Sequence, residues 1–294
     1  MTNIAVIGDV ILDKYTFGNV ERISPEAPIP ILYITEEVYK PGGAGNSAAN
    51  LATLGANVDL FGIAGKDSNY PILKRALEMH GINNKIISDS QRPTIIKQRL
   101  IASGQQLLRA DNESSDILKD HHLNEIKQKF NKHYDAILIS DYAKGMVCDE
   151  LMNFLRNKNI PIFIDPKPKN SLLYKGCYLV TPNIKECKEI SRLEDDLEGA
   201  KKISKDLETN VLLTRSEKGI ALINKDVKSP CLFEAEVHEV KDVTGAGDTV
   251  IATMVYFYTQ GKSLEESAKI ANQAAGISVG KVGCYQVKLE DLVL

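Results

Sequence analysis

Ala136-Ile137-Leu138-Ile139, followed at once by Ser140-Asp141-Tyr142-Ala143-Lys144-Gly145, is the stretch that decides the fold. Four apolar residues without alternation, cut off by polar and turn-forming ones, read as a strand buried on both faces of a parallel sheet. The same signature recurs outward in both directions. Pro161–Ile164 runs into Asp165-Pro166-Lys167, and Tyr178–Val180 into Thr181-Pro182-Asn183, with Glu186 one turn further on. Val211–Leu213 runs into Thr214-Arg215-Ser216, and Ile4–Ile7 into Gly8-Asp9. Helical patterns separate these runs, among them 116–132, 71–80 closed by Gly81, and 263–280, which opens on the capping-box spacing Ser263…Glu266. Strand–helix alternation of this kind predicts βαβ units and a mostly parallel sheet, hence an α/β fold. In such sheets ligands bind beyond the carboxyl ends of the strands, which is where the polar residues collect.

A second informative stretch is Asp242-Val243-Thr244-Gly245-Ala246-Gly247-Asp248, which leads into the apolar helix 248–260. Glycines let a ligand approach the backbone, and the first amides of a helix have no partner inside it and suit an anion. Asp248 beside such a cradle reads as a general base; the plainer alternative is an N-capping aspartate. Pro41-Gly42-Gly43-Ala44-Gly45-Asn46 is a glycine turn before a small-residue helix that ends at Gly55, and Asn46 and Asn50 share one face of it. That turn suits a polyol, held by backbone amides and the Asn46 carboxamide. Asp9 and Asp13, just past the first strand, are candidates to accept hydrogen bonds from substrate hydroxyls, with turn capping as the alternative for Asp9. Asp141 and Lys144 occupy the equivalent strand end at 140–145.

Two segments depart from the βα rhythm. Residues 15–38 carry Pro25, Pro28 and Pro30, which exclude a helix or a central strand and indicate edge strands outside the main sheet. Residues 94–101 alternate apolar and polar, and 105–111 form their hairpin partner across Ser103-Gly104. Lys97, Arg99 and Arg109 on this hairpin are the cations best placed for a substrate phosphate, or else line a solvated strand face. The 294 residues are 43% hydrophobic and 26% charged with net charge −3, so no basic field points to nucleic acid or an anionic membrane. Five scattered cysteines without a CxxC pair indicate neither zinc site nor disulfide framework. No basic region followed by an apolar core precedes Ile4, and no apolar run approaches the roughly 20 residues that span a bilayer. A cytoplasmic, single-domain protein is the expectation.

Phosphoryl transfer needs mainly positioning and charge stabilisation, and these candidates supply both. The sequence lacks GxxxxGK[ST] and the protein-kinase motifs. Taken together, Gly42-Gly43 with Asn46, Asn183-x-x-Glu186 and Asp242-x-Thr244-Gly245-Ala246-Gly247-Asp248 resemble the ribokinase-like (PfkB) carbohydrate kinases over essentially the full length. Within that family the chain is similar to the kinase domain of the bifunctional heptose enzymes of lipopolysaccharide synthesis. That narrower likeness rests on Gly8–Tyr15, Arg22–Pro30, Gln105–Arg109 and Ser140–Gly145. The resemblance implies a three-layer α/β/α fold over 1–294, with a small β lid from about 15–38 and 94–111. It implies ATP and Mg²⁺, and transfer of the γ-phosphate to the anomeric hydroxyl of D-glycero-β-D-manno-heptose 7-phosphate. Asp248 is then the base, and Gly245, Ala246 and Gly247 the anion hole. Asp13, Gly42, Gly43 and Asn46 hold the sugar. Asn183 and Glu186 serve ATP and the metal, Glu186 through water, while Thr214, Gly219, Thr244 and Asn272 border the nucleotide. A homodimer through the lid strands is implied as well, as is a monovalent-cation loop near the C-terminus, where Cys284-Tyr285-Gln286 replaces the family's Thr and Ala after Gly283. Another sugar or nucleoside kinase of the same fold, and a non-catalytic sugar-phosphate sensor, are the rival readings.

Overall fold

The computed structural model describes residues 2–227, 229–236, 239–281 and 283–293. The chain runs β1 (Asn3–Gly8), β2 (Val10–Ile23), β3 (Pro30–Gly43), α1 (Ala44–Thr53), β4 (Asn57–Phe61), β5 (Ile63–Gly65), α2 (Tyr70–Glu78), β6 (Asn83–Asn84), β7 (Ile87–Asp89), β8 (Ile95–Ala102) and β9 (Gln105–Asn112). It continues through α3 (Asp120–Lys129), β10 (Ala136–Ser140), α4 (Asp149–Arg156), β11 (Ile162–Asp165), β12 (Leu179–Val180), α5 (Ile184–Ser191), α6 (Asp196–Leu207), β13 (Asn210–Thr214), β14 (Ile220–Ile223), β15 (Cys231–Phe233), α7 (Ala246–Thr259) and α8 (Leu264–Val279). Among the described residues nine strands form the main sheet in the order β15-β14-β13-β12-β11-β10-β1-β4-β6, parallel from β13 to β6, with β14 and β15 antiparallel at one edge.

The strand residues sort themselves between two cores, which is what makes three layers. Ala5, Ile7, Ile137, Ile139, Ile162 and Ile164 pack with Leu123, Leu151, Leu155 and Ile203 of α3, α4 and α6. Their alternates Ile4, Val6, Ala136, Leu138 and Phe163 pack with Leu51, Leu73, Ile251 and Val255 of α1, α2 and α7. Successive side chains leave a strand on opposite faces, so an unbroken apolar run feeds both helical layers.

A second sheet, ordered β3-β2-β8-β9, stands off the strand ends. Its pairs are antiparallel apart from β2 with β8. Its strands are longer than the 15–38 segment indicates, because β2 begins one residue after the turn at Asp9 and β3 runs straight into α1; the prolines at 25 and 28 fall in the connection between them. At the other edge β15 is the one strand among the described residues of 228–240, and Lys228, Val237 and His238 lie outside the described residues. The helical signal from 116 starts at Asp120, after an extended approach. No helix among the described residues is long and apolar enough to cross a membrane.

Candidate active site

The cleft opens where the parallel strands end. Asp165 closes β11 and Lys167 follows it; Thr181 and Asn183 follow β12; Thr214 closes β13. From the opposite side comes the start of α7, with Gly245, Gly247 and Asp248, and Tyr142 from the loop after β10 completes the lining. Gly245 sits at φ 80°, a left-handed conformation that glycine reaches at little cost. A Cβ on it would lie 2.9 Å from Asn46 Nδ2, so the turn is packed against α1 as well as bent. Ala246 N–H donates to the Val243 carbonyl at 3.2 Å. Of the three amides expected to form an anion hole at 245–247, that of Ala246 is thus already engaged. Beyond its own helix, no described residue lies within 4 Å of where a Gly247 Cβ would stand.

Asp248 is 6% exposed and held at both oxygens. Asn46 Nδ2 donates to Oδ2 at 2.7 Å and Ser47 Oγ to Oδ1 at 2.6 Å. Burial raises its pKa; the two hydrogen bonds pull the other way without cancelling it, Asp13 adds to the rise and Lys167 opposes it. A carboxylate that ionises above the ordinary range is a better base near neutral pH. Asp165 shares this environment. Burial first and the Asp248 charge second push it well above the usual carboxylate range, with Lys167 opposing. Lys167 in turn is lowered by burial, but Asp165 and its ion pair with Glu186 more than offset that and raise it.

Glu186 is the third residue of a capping box on α5: Asn183 Oδ1 accepts from Glu186 N at 2.9 Å, and Glu186 Oε2 accepts from Asn183 N at 3.1 Å. With Oε1 on Lys167 and Oε2 on a backbone amide, the carboxylate that the sequence offers as a metal residue has both oxygens engaged. Oxygen donors from Asp165, Glu186, Thr214 and Asp248 still suit Mg²⁺, which binds one or two carboxylates and keeps several waters.

The sugar-side candidates cluster next to Asp248. Arg99 Nη1 lies 2.5 Å from Asp13 Oδ1, and both side chains are largely buried. Gly42 is required there because a Cβ would sit 2.2 Å from Asp13 Oδ2. Gly43, at φ 56°, caps α1, whose first turn brings Asn46 and Ser47 against Asp248. Lys97 has its ammonium over the Tyr142 ring at 5.4 Å, and burial lowers its pKa against the pull of Asp13.

Other candidates are engaged elsewhere. Asp9 spends its carboxylate on the amides of Tyr142, Lys144 and Met146, so it fastens the 142–146 loop rather than offering itself to a hydroxyl. Asp141 accepts from Ala143 N, Asn170 Nδ2 and Tyr174 Oη and is fully buried. Lys144 pairs with Glu113. Arg109 pairs with Asp111 on β9, whose residues are all exposed. Asn272 donates to the Glu234 carbonyl, and Gly219 admits the Phe233 carbonyl where a Cβ would sit 2.0 Å away. Both fix the segment after β15. Thr244 donates its amide to Asp242 Oδ1, bracing the turn before α7.

Ser47, Asp165, Lys167 and Tyr142 are the residues that motif reading left without a role. Asp165 and Lys167 carried a usable signal, since they end a parallel strand. Cys284 also packs here: its Sγ would be 3.3 Å from a Cβ on Gly245. Burial, Asp13 and Asp248 push its thiol up to about 11.

This arrangement, a parallel sheet with helix-start amides and a buried aspartate at its carboxyl edge and a small sheet alongside, is that of a carbohydrate kinase. The sequence matches the pfkB family of carbohydrate kinases across residues 1–291, and the chain belongs to that family: a phosphotransferase with an alcohol group as acceptor, which uses ATP and typically Mg²⁺. It is 39% identical over 303 residues to the bifunctional protein HldE of Sulfurimonas denitrificans, covering 98% of this chain and 63% of that protein. It is 42% identical over 300 residues to the HldE of Hydrogenovibrio crunogenus, covering 99% and 62%. The chain thus spans under two thirds of the length of these relatives. In fold it is similar to phosphofructokinase-2 from Escherichia coli in complex with substrates and products (TM-score 0.81, 18% identity, 99% and 97% of the two chains). It is likewise similar to the Arabidopsis thaliana ribokinase complexed with ribose and ATP (TM-score 0.75, 20% identity, 99% and 96%).

Proposed function

We propose that the chain transfers the γ-phosphate of ATP to the anomeric hydroxyl of D-glycero-β-D-manno-heptose 7-phosphate, giving the 1,7-bisphosphate for ADP-heptose and lipopolysaccharide core synthesis. The observation that carries the chemistry is Asp248, gripped at both oxygens by Asn46 and Ser47 at the start of α7. The likeness to HldE over 98% of this chain carries the choice of sugar.

In this reading the sugar lies between Asp13, Gly42 and Asn46, with its anomeric hydroxyl toward Asp248. Asp248 takes the hydroxyl proton as the oxygen attacks. The amides of the first turn of α7 receive the transferring phosphoryl group, where the helix dipole favours negative charge. Lys167 leaves Glu186 for the polyphosphate, and Asn183 and Thr214 border the nucleotide. Glu186 and Asp165 would hold Mg²⁺, which would supply charge neutralisation for the phosphates. Lys97 and Arg99 meet the 7-phosphate from the small sheet, which serves as a lid. The same sheet exposes Ile23, Ile34 and Leu108, which support a homodimer through the lid strands.

The test is phosphorylation of heptose 7-phosphate against the unphosphorylated heptose, with the product position read by NMR. A large preference for the phosphorylated sugar and a new anomeric phosphate are expected; preference for the free heptose overturns the assignment. Sedimentation tests the dimer. Rates in potassium and tetramethylammonium salts at equal ionic strength test activation by a monovalent cation.

A further inference from the structure

Away from the cleft, Asp89 at the end of β7 and His121 and His122 in the first turn of α3 bring one ligand atom each within 4.8 Å of one another. His122 is 2% exposed, yet its Nε2 has no hydrogen-bond partner among the described residues. Asp89 Oδ2 stands 3.2 Å from it, outside the directions a hydrogen bond needs. The other Asp89 oxygen is taken by Gln91 N at 2.8 Å, so Oδ2 is the atom left for this site. The His121 ring lies beside that of His122, centroids 3.9 Å apart with the planes tilted by 52°, and His121 is exposed to solvent. A buried imidazole nitrogen without a partner loses the solvation it has in water, so something should compensate it.

We propose that Asp89, His121 and His122 form a binding site for a divalent transition metal, with zinc as the ion that fits. Two imidazoles and one carboxylate are zinc ligands, and the fourth position of the tetrahedron is left to water. Two ligands at about 2.0 Å in a tetrahedral arrangement stand about 3.3 Å apart, close to the spacing of Nε2 and Oδ2. Nitrogen donors select against Mg²⁺, so the site does not compete for the nucleotide's metal. His122 Nδ1 now accepts a long 3.4 Å bond from Lys119 N. Binding through Nε2 keeps the ring neutral, its one proton moved from Nε2 to Nδ1, and turns the Lys119 amide to water. Lys119 and Arg92 bring positive charge nearby and hold the affinity down.

The position gives the site its consequence. Asp89 precedes the segment that enters the β8–β9 hairpin, and α3 follows the segment that leaves it. Arg92 already ties these legs together, reaching the carbonyls of Ser114 and Asp116 and that of Lys144. A zinc ion would clamp entry and exit of the hairpin that carries Lys97 and Arg99.

The full-length chain, stripped with chelator and dialysed against zinc, should retain one zinc per chain in the presence of millimolar Mg²⁺. His121→Ala, a change at an exposed residue that leaves the fold intact, should weaken binding at least about tenfold, a floor set by the effect of outer-shell partners. Asp89→Asn should weaken it likewise. Hydrogen exchange at 90–94 and 113–119 should slow on adding zinc to the wild type and not to His121→Ala. Absence of zinc from the wild type, or equal affinity in His121→Ala (which is where binding at the cysteines would show), overturns the proposal.

Discussion

Replacing Ser47 with alanine removes one of the two hydrogen bonds to Asp248 and little else. Ser47 is fully buried, its Oγ is 2.6 Å from Asp248 Oδ1, and alanine fits the space. A hydrogen bond to a charged group contributes about 1.5–3 kcal/mol, and about 1.4 kcal/mol corresponds to one pKa unit. The bond favours the ionised form, so its loss raises an already raised pKa further. Only the ionised carboxylate can take the hydroxyl proton. The acid limb of kcat/KM should therefore move to higher pH by about 1–2 units, with much of the alkaline plateau retained. Coupled detection of ADP release from pH 5.5 to 9.5, with coupling enzymes in excess at each pH, measures this. An unmoved acid limb with a uniformly lowered rate would refute the reasoning, because it would mean that Ser47 matters for position and leaves the ionisation of Asp248 alone.

Asp248→Asn should lower kcat at least about 100-fold with little change in nucleotide affinity, read by steady-state kinetics and nucleotide titration. Gly42→Ala places a Cβ where Asp13 Oδ2 now lies, so the sugar KM should rise far more than the ATP KM. Cys284, with its thiol at about 11, should react slowly with iodoacetamide at pH 7.5 in the folded protein and rapidly once denaturant returns it to an ordinary value, as peptide mass spectrometry can follow.

The main sheet could be read directly because each buried parallel strand is an apolar run with a polar stop. Ala136–Ser140 and Ile162–Asp165 start and end within a residue or so of where that pattern puts them. The small sheet was harder, since half-exposed strands mix residue types and β2 starts within one residue of β1. In the site, Asp248, Asn183 and Glu186 announce themselves by motif, and the capping box at 183–186 could have been read from the same letters. Ser47 could not: a serine in a small-residue helix looks like packing until α7 is placed beside it. Asp9 and Asp13 look equivalent in sequence and part company in space. The first turns into the 142–146 loop; the second lies on β2 opposite Lys40 and Lys97, where it meets Arg99.

The join between the two sheets has a mechanical consequence. β2 leaves the main sheet one residue after β1, and β3 passes into α1 at Gly43 without a loop. At about 3.3 Å per residue, the 14 residues of each strand make an arm of about 46 Å whose pivot lies beside Asn46 and Ser47. A rotation of about 5° at that pivot sweeps the 24–29 tip through about 4 Å on an arm of that length. The tip is exposed, and exposed tips tolerate added groups. A dye attached there acts as a pointer, converting an angular change too small to detect at the pivot into a displacement that fluorescence can follow as the sugar arrives.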